Sequence, residues 1–337
     1  MKVTKRQFIG GVLGTAVVGG LARPARSAAT RVLKISHQFP ANIDFRDVLA
    51  RKFAAEVEKR TDGALSFQIY PGSSLFKPGQ QFDAMASGAL DMSVYPLAYS
   101  GGKLPATNLT LMPALIESYE QGYAWEKASI GKWLVKYLGD HGVELVTWVW
   151  QGGGVASRDK AILLPQDVKG LKTRGAGKMI ELMLQAAGAS ISTFPSNQTY
   201  NAMQSGVVDA LWTSSASLMS FRLEEVAKDV TTARKYTFWY MFEPMLMSKH
   251  TYDSLTPSQQ QIVMEVGHSL QGFVLSSCRA DDAKVAAVFG KAGDHVHDMD
   301  RQQFDAWKKL AQESAWKEFG QKVPDGRKLL DMASAVA

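Results

Sequence analysis

The order of elements between residues 166 and 213 repeats one already used near the start of the chain, and such a repeat leaves few folds open. In the later copy, LKTR (171–174) reads as a short strand and MIELMLQAAG (179–188) as a helix with apolar residues at helical spacing and Gly188 at its end. ASISTF (189–194) is an alternating strand stopped by Pro195, QTYNAMQSG (198–206) a short helix, and VVDALW (207–212) an apolar strand. In the earlier copy, VLKISHQF (32–39) opens as a strand. FRDVLARKFAAEVEKRTDG (45–63) follows as a helix, with Asp44 as N-cap candidate and Gly63 as its stop. LSFQIYP (65–71) alternates, and ALDMSVY (89–95) is an apolar strand behind a short helix ending at Gly88. The closing pieces align: FDAMASGALD (82–91) and YNAMQSGVVD (200–209) share Ala, Met, Ser, Gly and Asp. Strands alternating with helices of this length predict parallel sheets, so the chain reads as an α/β protein of two related lobes with a ligand cleft between them.

In open α/β sheets, ligands lie beyond the carboxyl ends of the strands. From the first lobe this rule selects His37, Gln38 and Phe39, then Tyr70, then Tyr95; from the second it selects Arg174, Phe194, Trp212 and Thr213. One guanidinium among aromatics and small polar groups suits a small organic anion, because its planar fork matches a carboxylate. Two lobes facing across a gap form a clamp, so a protein that closes on its ligand is expected. VELVTWVWQGGG (143–154) reads as a strand crossing between lobes; Gln151 and Gly154 join the candidates there, since Gly152 to Gly154 permit close approach of a ligand. KYTFWYMFEPMLMSKH (235–250) reads as the return crossing, where Phe238, Trp239 and Tyr240 either line the cleft or simply pack. GYAWEKASIGKWLVKYL (122–138) reads as an amphipathic helix. The capping box Thr256-Pro257-Ser258-Gln259 opens a helix that either runs to about residue 290 as a spine across both lobes or breaks near Gly272.

The first residues belong to export rather than to the fold. Lys2, Lys5 and Arg6 precede the apolar run FIGGVLGTAVVGGLA (8–22), and PARSAA (24–29) suits cleavage. TKRQFI (4–9) resembles a twin-arginine signal with Lys for the first Arg; ordinary Sec export is the rival. This leader distorts the bulk charge. The chain has 38 basic and 32 acidic residues, but five basic ones (Lys2, Lys5, Arg6, Arg23, Arg26) lie in the leader, leaving 33 against 32. No later stretch clusters Lys and Arg as a nucleic-acid binder does. The single cysteine, Cys278, falls in a helix and reads as buried. His295 and His297 on one side of a strand raise a metal site, but a surface strand with Asp300 capping the next helix is the preferred reading, and neither metal nor cofactor is expected. There is no G-x-S-x-G elbow, and GAGK (175–178) lacks the other residues of a phosphate loop. The expected organisation is a signal over 1–28, a first lobe of 30–151 with about 240–280 and 302–337, and a second lobe of 152–239 with about 281–301.

LKISHQFP, F-A-x-E-V-E-K-R-T-x-G (53–63), SGALDM (87–92), DVKGLKTR (167–174) and MQSGVVDA (203–210) together resemble the solute-binding proteins of tripartite ATP-independent periplasmic (TRAP) transporters, DctP type. The likeness covers the whole chain after the leader. It implies a periplasmic-binding-protein-like fold with hinge strands and a long spanning helix. It also implies a periplasmic, monomeric, non-enzymatic protein that traps a small organic acid and delivers it to the transporter's membrane permease subunits. An exported enzyme or a sensory binding module on the same scaffold is the alternative. The family's carboxylate-binding arginine falls on Arg174. Many members carry a second arginine where this chain has Gly152-Gly153-Gly154, and an Asn where it reads Leu211-Trp212-Thr213-Ser214. The missing charge and the extra Trp suggest a monocarboxylate with an apolar or aromatic body.

Overall fold

The structure, a computed structural model, describes residues 30–336; the expected export signal over 1–28 lies outside them. Its strands are β1 (Arg31–Ser36), β2 (Leu65–Tyr70), β3 (Met92–Val94), β4 (Val143–Thr147), β5 (Trp150–Ser157), β6 (Lys172–Arg174), β7 (Ser190–Ile191), β8 (Ala210–Ser214), β9 (Asp229–Thr232), β10 (Tyr240–Phe242), β11 (Met245–Ser248) and β12 (His295–Asp298). They form two sheets. The first has the order β2-β1-β3-β11-β4, with β1 parallel to β2 and β3, and β11 antiparallel to its neighbours. The second has the order β12-β9-β5-β8-β6-β7, with β10 added antiparallel to β5.

Local sequence explains the elements. In β1, Leu33 and Ile35 are buried while Val32 and Lys34 are exposed, the two-residue period of a half-covered strand. The helix Phe45–Arg60 covers it with Phe45, Leu49, Phe53 and Val57, one residue per turn on one face. Asp44 caps this helix by accepting from the Arg46 N–H. In the second sheet, the neighbours Leu211 and Trp212 of β8 point to opposite faces and enter different apolar clusters, one around Val230 and Phe289, the other around Phe238 and Trp307. Several of the expected strands are shorter: the opening strand ends at Ser36, ALDMSVY keeps only Met92–Val94, only Ser190–Ile191 pairs in the ASISTF run, and β8 starts at Ala210 because Gly206 (φ 72°) turns the chain after the helix Thr199–Gln204. The expected helix over 122–138 is two helices, Tyr119–Ala124 and Ser129–Asp140.

The chain passes from the first sheet to the second between β4 and β5, and back between β10 and β11. Glu243 N–H donates to the Val149 carbonyl at 2.9 Å, so the two passages are tied to each other. The capping box at Thr256 forms as expected, but its helix ends at Ser269, and after Leu270 a second helix runs from Gln271 to Ala292. That helix packs against the Phe45–Arg60 helix near one end and against β5, β9 and β12 further along. One assignment changes. The helix Arg301–Ala311, placed by the sequence with the first lobe from residue 302, packs with the second sheet: Trp307 and Ala311 join the Trp212 cluster, and the Trp307 indole donates to the Leu163 carbonyl at 2.9 Å. No helix among the described residues is long and apolar enough to cross a membrane.

Candidate functional site

Arg174 ends β6, and its side chain is 1% exposed. Its Nε donates to the Phe194 carbonyl at 3.0 Å, one Nη to the Trp212 carbonyl at 2.6 Å, and the other Nη to the Tyr99 hydroxyl at 3.1 Å. All three acceptors are neutral, and no ion pair among the described residues includes Arg174. A guanidinium has five N–H donors, so two are unused. The Tyr99 oxygen accepts from Arg174 and from the Ser196 N–H (3.1 Å), which fills its acceptor sites and leaves its own proton to donate.

These groups border a cavity of about 550 Å³. Ala98, Tyr99 and Asn108 form one wall; the other is the turn Gly175-Ala176-Gly177, with Lys178, Glu181 and Phe194. The helix Lys178–Ala186 begins there, with no side-chain cap at Gly177. Glu181 lies in its first turn. Burial pushes the Glu181 carboxyl above its ordinary value, against the opposing pull of the Thr193 hydroxyl and the Arg174 charge. One of its oxygens, Oε1, is buried without a hydrogen-bond partner.

A second arginine, Arg46, is also fully buried, and its environment is the reverse. Its Nε and one Nη reach both oxygens of Asp44 (2.7 and 2.6 Å), and the other Nη reaches Glu243 at 2.8 Å. The last two N–H groups meet Ser214 Oγ (3.2 Å) and Ser217 Oγ (3.0 Å), so all five donors are used. Asp44 belongs to the first sheet's helix and the serines to the end of β8 and the helix after it, so the cluster joins the two halves. Burial pushes the Asp44 carboxyl up, but the Arg46 charge and its hydrogen bonds outweigh this and hold it below its ordinary value. At Glu243, burial wins and the carboxyl is raised despite Arg46, with the Asp44 charge adding to the rise. Near the hinge, Asp282 accepts from the hydroxyls of Tyr119 (2.6 Å) and Ser215 (2.5 Å), and burial lifts it to about 6.

Of the residues selected from sequence, Arg174 and Phe194 border the cavity, and Trp212 is connected to it only through its carbonyl, which accepts from Arg174. The Trp212 ring is turned away, into contact with Phe238 and Trp307, so Tyr99 and Phe194 supply the aromatic wall instead. His37, Gln38 and Phe39 are buried at the end of β1. His37 stacks on Phe39 and faces Asp47 at 3.2 Å, both amide atoms of Gln38 lack partners, and the Phe39 ring lies 3.6 Å beneath the Arg46 guanidinium. The nearby His37 ring, with hydrogen bonds from Arg51 and the Asn42 N–H, overcomes burial at Asp47 and holds it at about 2. Gln151 donates to Glu243 and so belongs to the Arg46 cluster. Tyr95 borders a smaller cavity of about 240 Å³, and Tyr70 pairs with Gln68 at the surface. Thr213 is opposite Gly154 on β5; a Cβ at Gly154 would approach the Thr231 carbonyl to 2.1 Å, so this glycine serves close strand packing. A Cβ at Gly153 would come within 2.3 Å of Trp239, whose indole fills the space in front of the glycine run. His295 and His297 both face Asp229 on the paired strand β9, at 3.5 and 2.8 Å. Tyr99, Asn108, Glu181 and Arg46 were missed. Tyr99 and Asn108 lie in short helical turns between strands, where the strand-end rule is silent.

A sequence profile of the family described as bacterial extracellular solute-binding protein, family 7 (DctP), matches residues 36–322. A solute-binding protein of Albidiferax ferrireducens is 47% identical over 331 residues, 97% of each chain. The crystal structure of a TRAP periplasmic solute-binding protein from Rhodoferax ferrireducens, with bound malonate, superposes with a TM-score of 0.89 at 48% identity, covering 90% of this chain and 98% of that one. A TRAP periplasmic solute-binding protein from Sulfitobacter, with bound β-D-galacturonate, shares the fold at 21% identity, with a TM-score of 0.83 over 90% of this chain and 99% of the other.

Proposed function

The chain belongs to the DctP family of bacterial extracellular solute-binding proteins, family 7, and on that premise we propose that it captures a small organic carboxylate between its lobes, at Arg174, for delivery to the membrane subunits of a TRAP transporter. One observation carries the ligand assignment: a fully buried guanidinium hydrogen-bonded only to neutral acceptors, with two N–H groups unused beside a cavity. Buried charges are ordinarily paired, because desolvation is costly without a counter-charge. Here a ligand carboxylate completes the pair, with the Tyr99 hydroxyl as a further donor. The malonate held by the Rhodoferax relative is of this class. The protein acts as a binding protein, not an enzyme; it is exported with loss of residues 1–28, works in the periplasm, and functions as a monomer. Among the remaining candidates, Gln38 supports a place in the closed cleft, because a buried amide with no partner calls for one.

Thermal unfolding against a panel of organic acids tests the reading. A ligand that binds only the native state stabilises it by about 2.7 kcal/mol at a hundred times its Kd. The expected result is a raised midpoint with at least one acid and no shift in Arg174→Gln. An acid that stabilises both proteins equally would show that the carboxylate is read elsewhere.

A further inference from the structure

A second space lies behind the hinge. A crevice of about 350 Å³ is bordered by Tyr119 and Glu120 on one side, by Arg234 and Lys235 on the other, and by Ala283 of the helix Gln271–Ala292, which packs on both halves. Tyr119 belongs to the first half's apolar cluster, while Arg234 and Lys235 follow β9 of the second sheet. The crevice and the ligand cavity lie on opposite faces of the hinge strands. Tyr240 of β10 borders the crevice, whereas its neighbour Met241 packs with Ala98 and Ala176, which border the ligand cavity. Gly152, paired with Tyr240, also faces the crevice: a Cβ there would lie 3.3 Å from Ala233 and 3.4 Å from Asp282 Oδ2. On the ligand face the halves touch. The Tyr99 hydroxyl meets Arg174 and the Ser196 N–H, and Asn197 Nδ2 donates to Ser73 Oγ at 3.3 Å. Behind the hinge, among the described residues, no hydrogen bond or ion pair joins residues 118–120 to residues 233–235. Glu120 pairs instead with Arg279 of the long helix, and Arg234 with Asp298 of β12.

We propose that this crevice is the counterpart of the ligand cleft: it narrows when the lobes open, so the side chains lining it set the affinity for the acid without touching it. The inference rests on the clamp reading above. A rotation about the hinge strands that parts Tyr99 from Arg174 carries residues 118–120 toward residues 233–235, because the two faces lie on either side of one axis. The unfilled crevice leaves room for that movement. A side chain that fills it clashes in the open form alone and shifts the population toward the closed one. Apparent affinity scales with the populated fraction of the binding-competent form, so a protein that is mostly open when empty binds more tightly once opening is hindered.

Ala283→Trp and Lys235→Trp test this, each placing a large ring at an exposed position on the crevice. Lys284→Trp, the next residue on the helix, exposed and outside the crevice, is the control. The readouts are small-angle X-ray scattering of the unliganded proteins and calorimetric titration with malonate; unliganded unfolding midpoints report whether each variant folds. Both crevice variants are expected to have a smaller unliganded radius of gyration than the wild type and to bind malonate on the order of tenfold more tightly, with the control unchanged. The sign is diagnostic at Lys235, because loss of a positive charge would by itself weaken attraction for an anion. Unchanged radius and affinity, weaker binding, an empty wild type already as compact as the variants, or equal tightening in Lys284→Trp overturns the inference and leaves Arg174's role standing. If malonate binds none of the proteins, the carboxylate reading fails on that acid and the scattering comparison decides alone: smaller empty variants uphold the crevice's role, and equal radii end it.

Discussion

Arg46 and Arg174 are both buried, and each touches both halves of the molecule, yet their surroundings give them opposite tasks. Arg46 has two carboxylates and every N–H group occupied. Arg174 has two carbonyls, a phenol and two idle N–H groups. Burial therefore does not mark a binding arginine. What sets Arg174 apart is that no anion is hydrogen-bonded to it, and on the proposed reading the ligand supplies that charge.

The comparison can be broken most severely at Arg46. Replacing it with Met strands Asp44 and Glu243 in the interior, and loss of one partner of a buried ion pair costs on the order of 3–5 kcal/mol. A large fall in the urea midpoint is expected, partly recovered in the double variant with Glu243→Gln. No change would mean that water reaches the cluster. At Arg174 the loss should appear in binding instead. Removing one partner of a buried charge pair weakens affinity by roughly 2–5 kcal/mol, so Arg174→Gln should lose acid binding in calorimetry while keeping a near-native unfolding midpoint. A protein that unfolds as readily as the Arg46 variant would erase the distinction. Gly153→Ala should cost about 1–3 kcal/mol by overpacking, because the new methyl meets both Trp239 and the Thr213 carbonyl, at 2.3 and 2.4 Å. Trp239→Phe in the same chain should recover part of it.

The smallest effect concerns Asp282, a buried acid served only by neutral hydroxyl donors, the mirror image of Arg174. Burial, with help from the Asp281 charge, lifts its carboxyl from the ordinary 3.8 to about 6, so the native state keeps a proton that the unfolded chain has lost. Its contribution is full in acid, declines as pH rises from about 4 to about 6, and is flat above. One proton contributes a slope of at most about 1.4 kcal/mol per pH unit. Asp282→Asn should flatten part of that slope, Asp281 (also near 6) keeping the rest. An unchanged stability profile between pH 4 and 6 would count against a retained proton.

What could be read from the sequence was local. The Asp44, Thr256 and Asp300 caps are written within a few residues, and the structure forms each of them. Arg174 was singled out because a topological rule points at strand ends. Arg46 was not, since an arginine in the first turn of a helix reads as solvated; its partners Ser214 and Glu243 are 168 and 197 residues away along the chain. The orientation of Trp212 was equally hidden. A strand's alternation says that neighbours face opposite ways, but which face holds the ligand depends on Phe238 and Trp307, supplied from much later segments.

The indole in front of Gly153 also restricts what position 153 can hold. An arginine at 153 would collide with Trp239 before it met any ligand. Making position 239 smaller would remove only part of the obstacle, because the Thr213 carbonyl lies 2.4 Å from the same point. Position 153 is closed from two sides at once, by a side chain 86 positions away along the chain and by the backbone of the neighbouring strand.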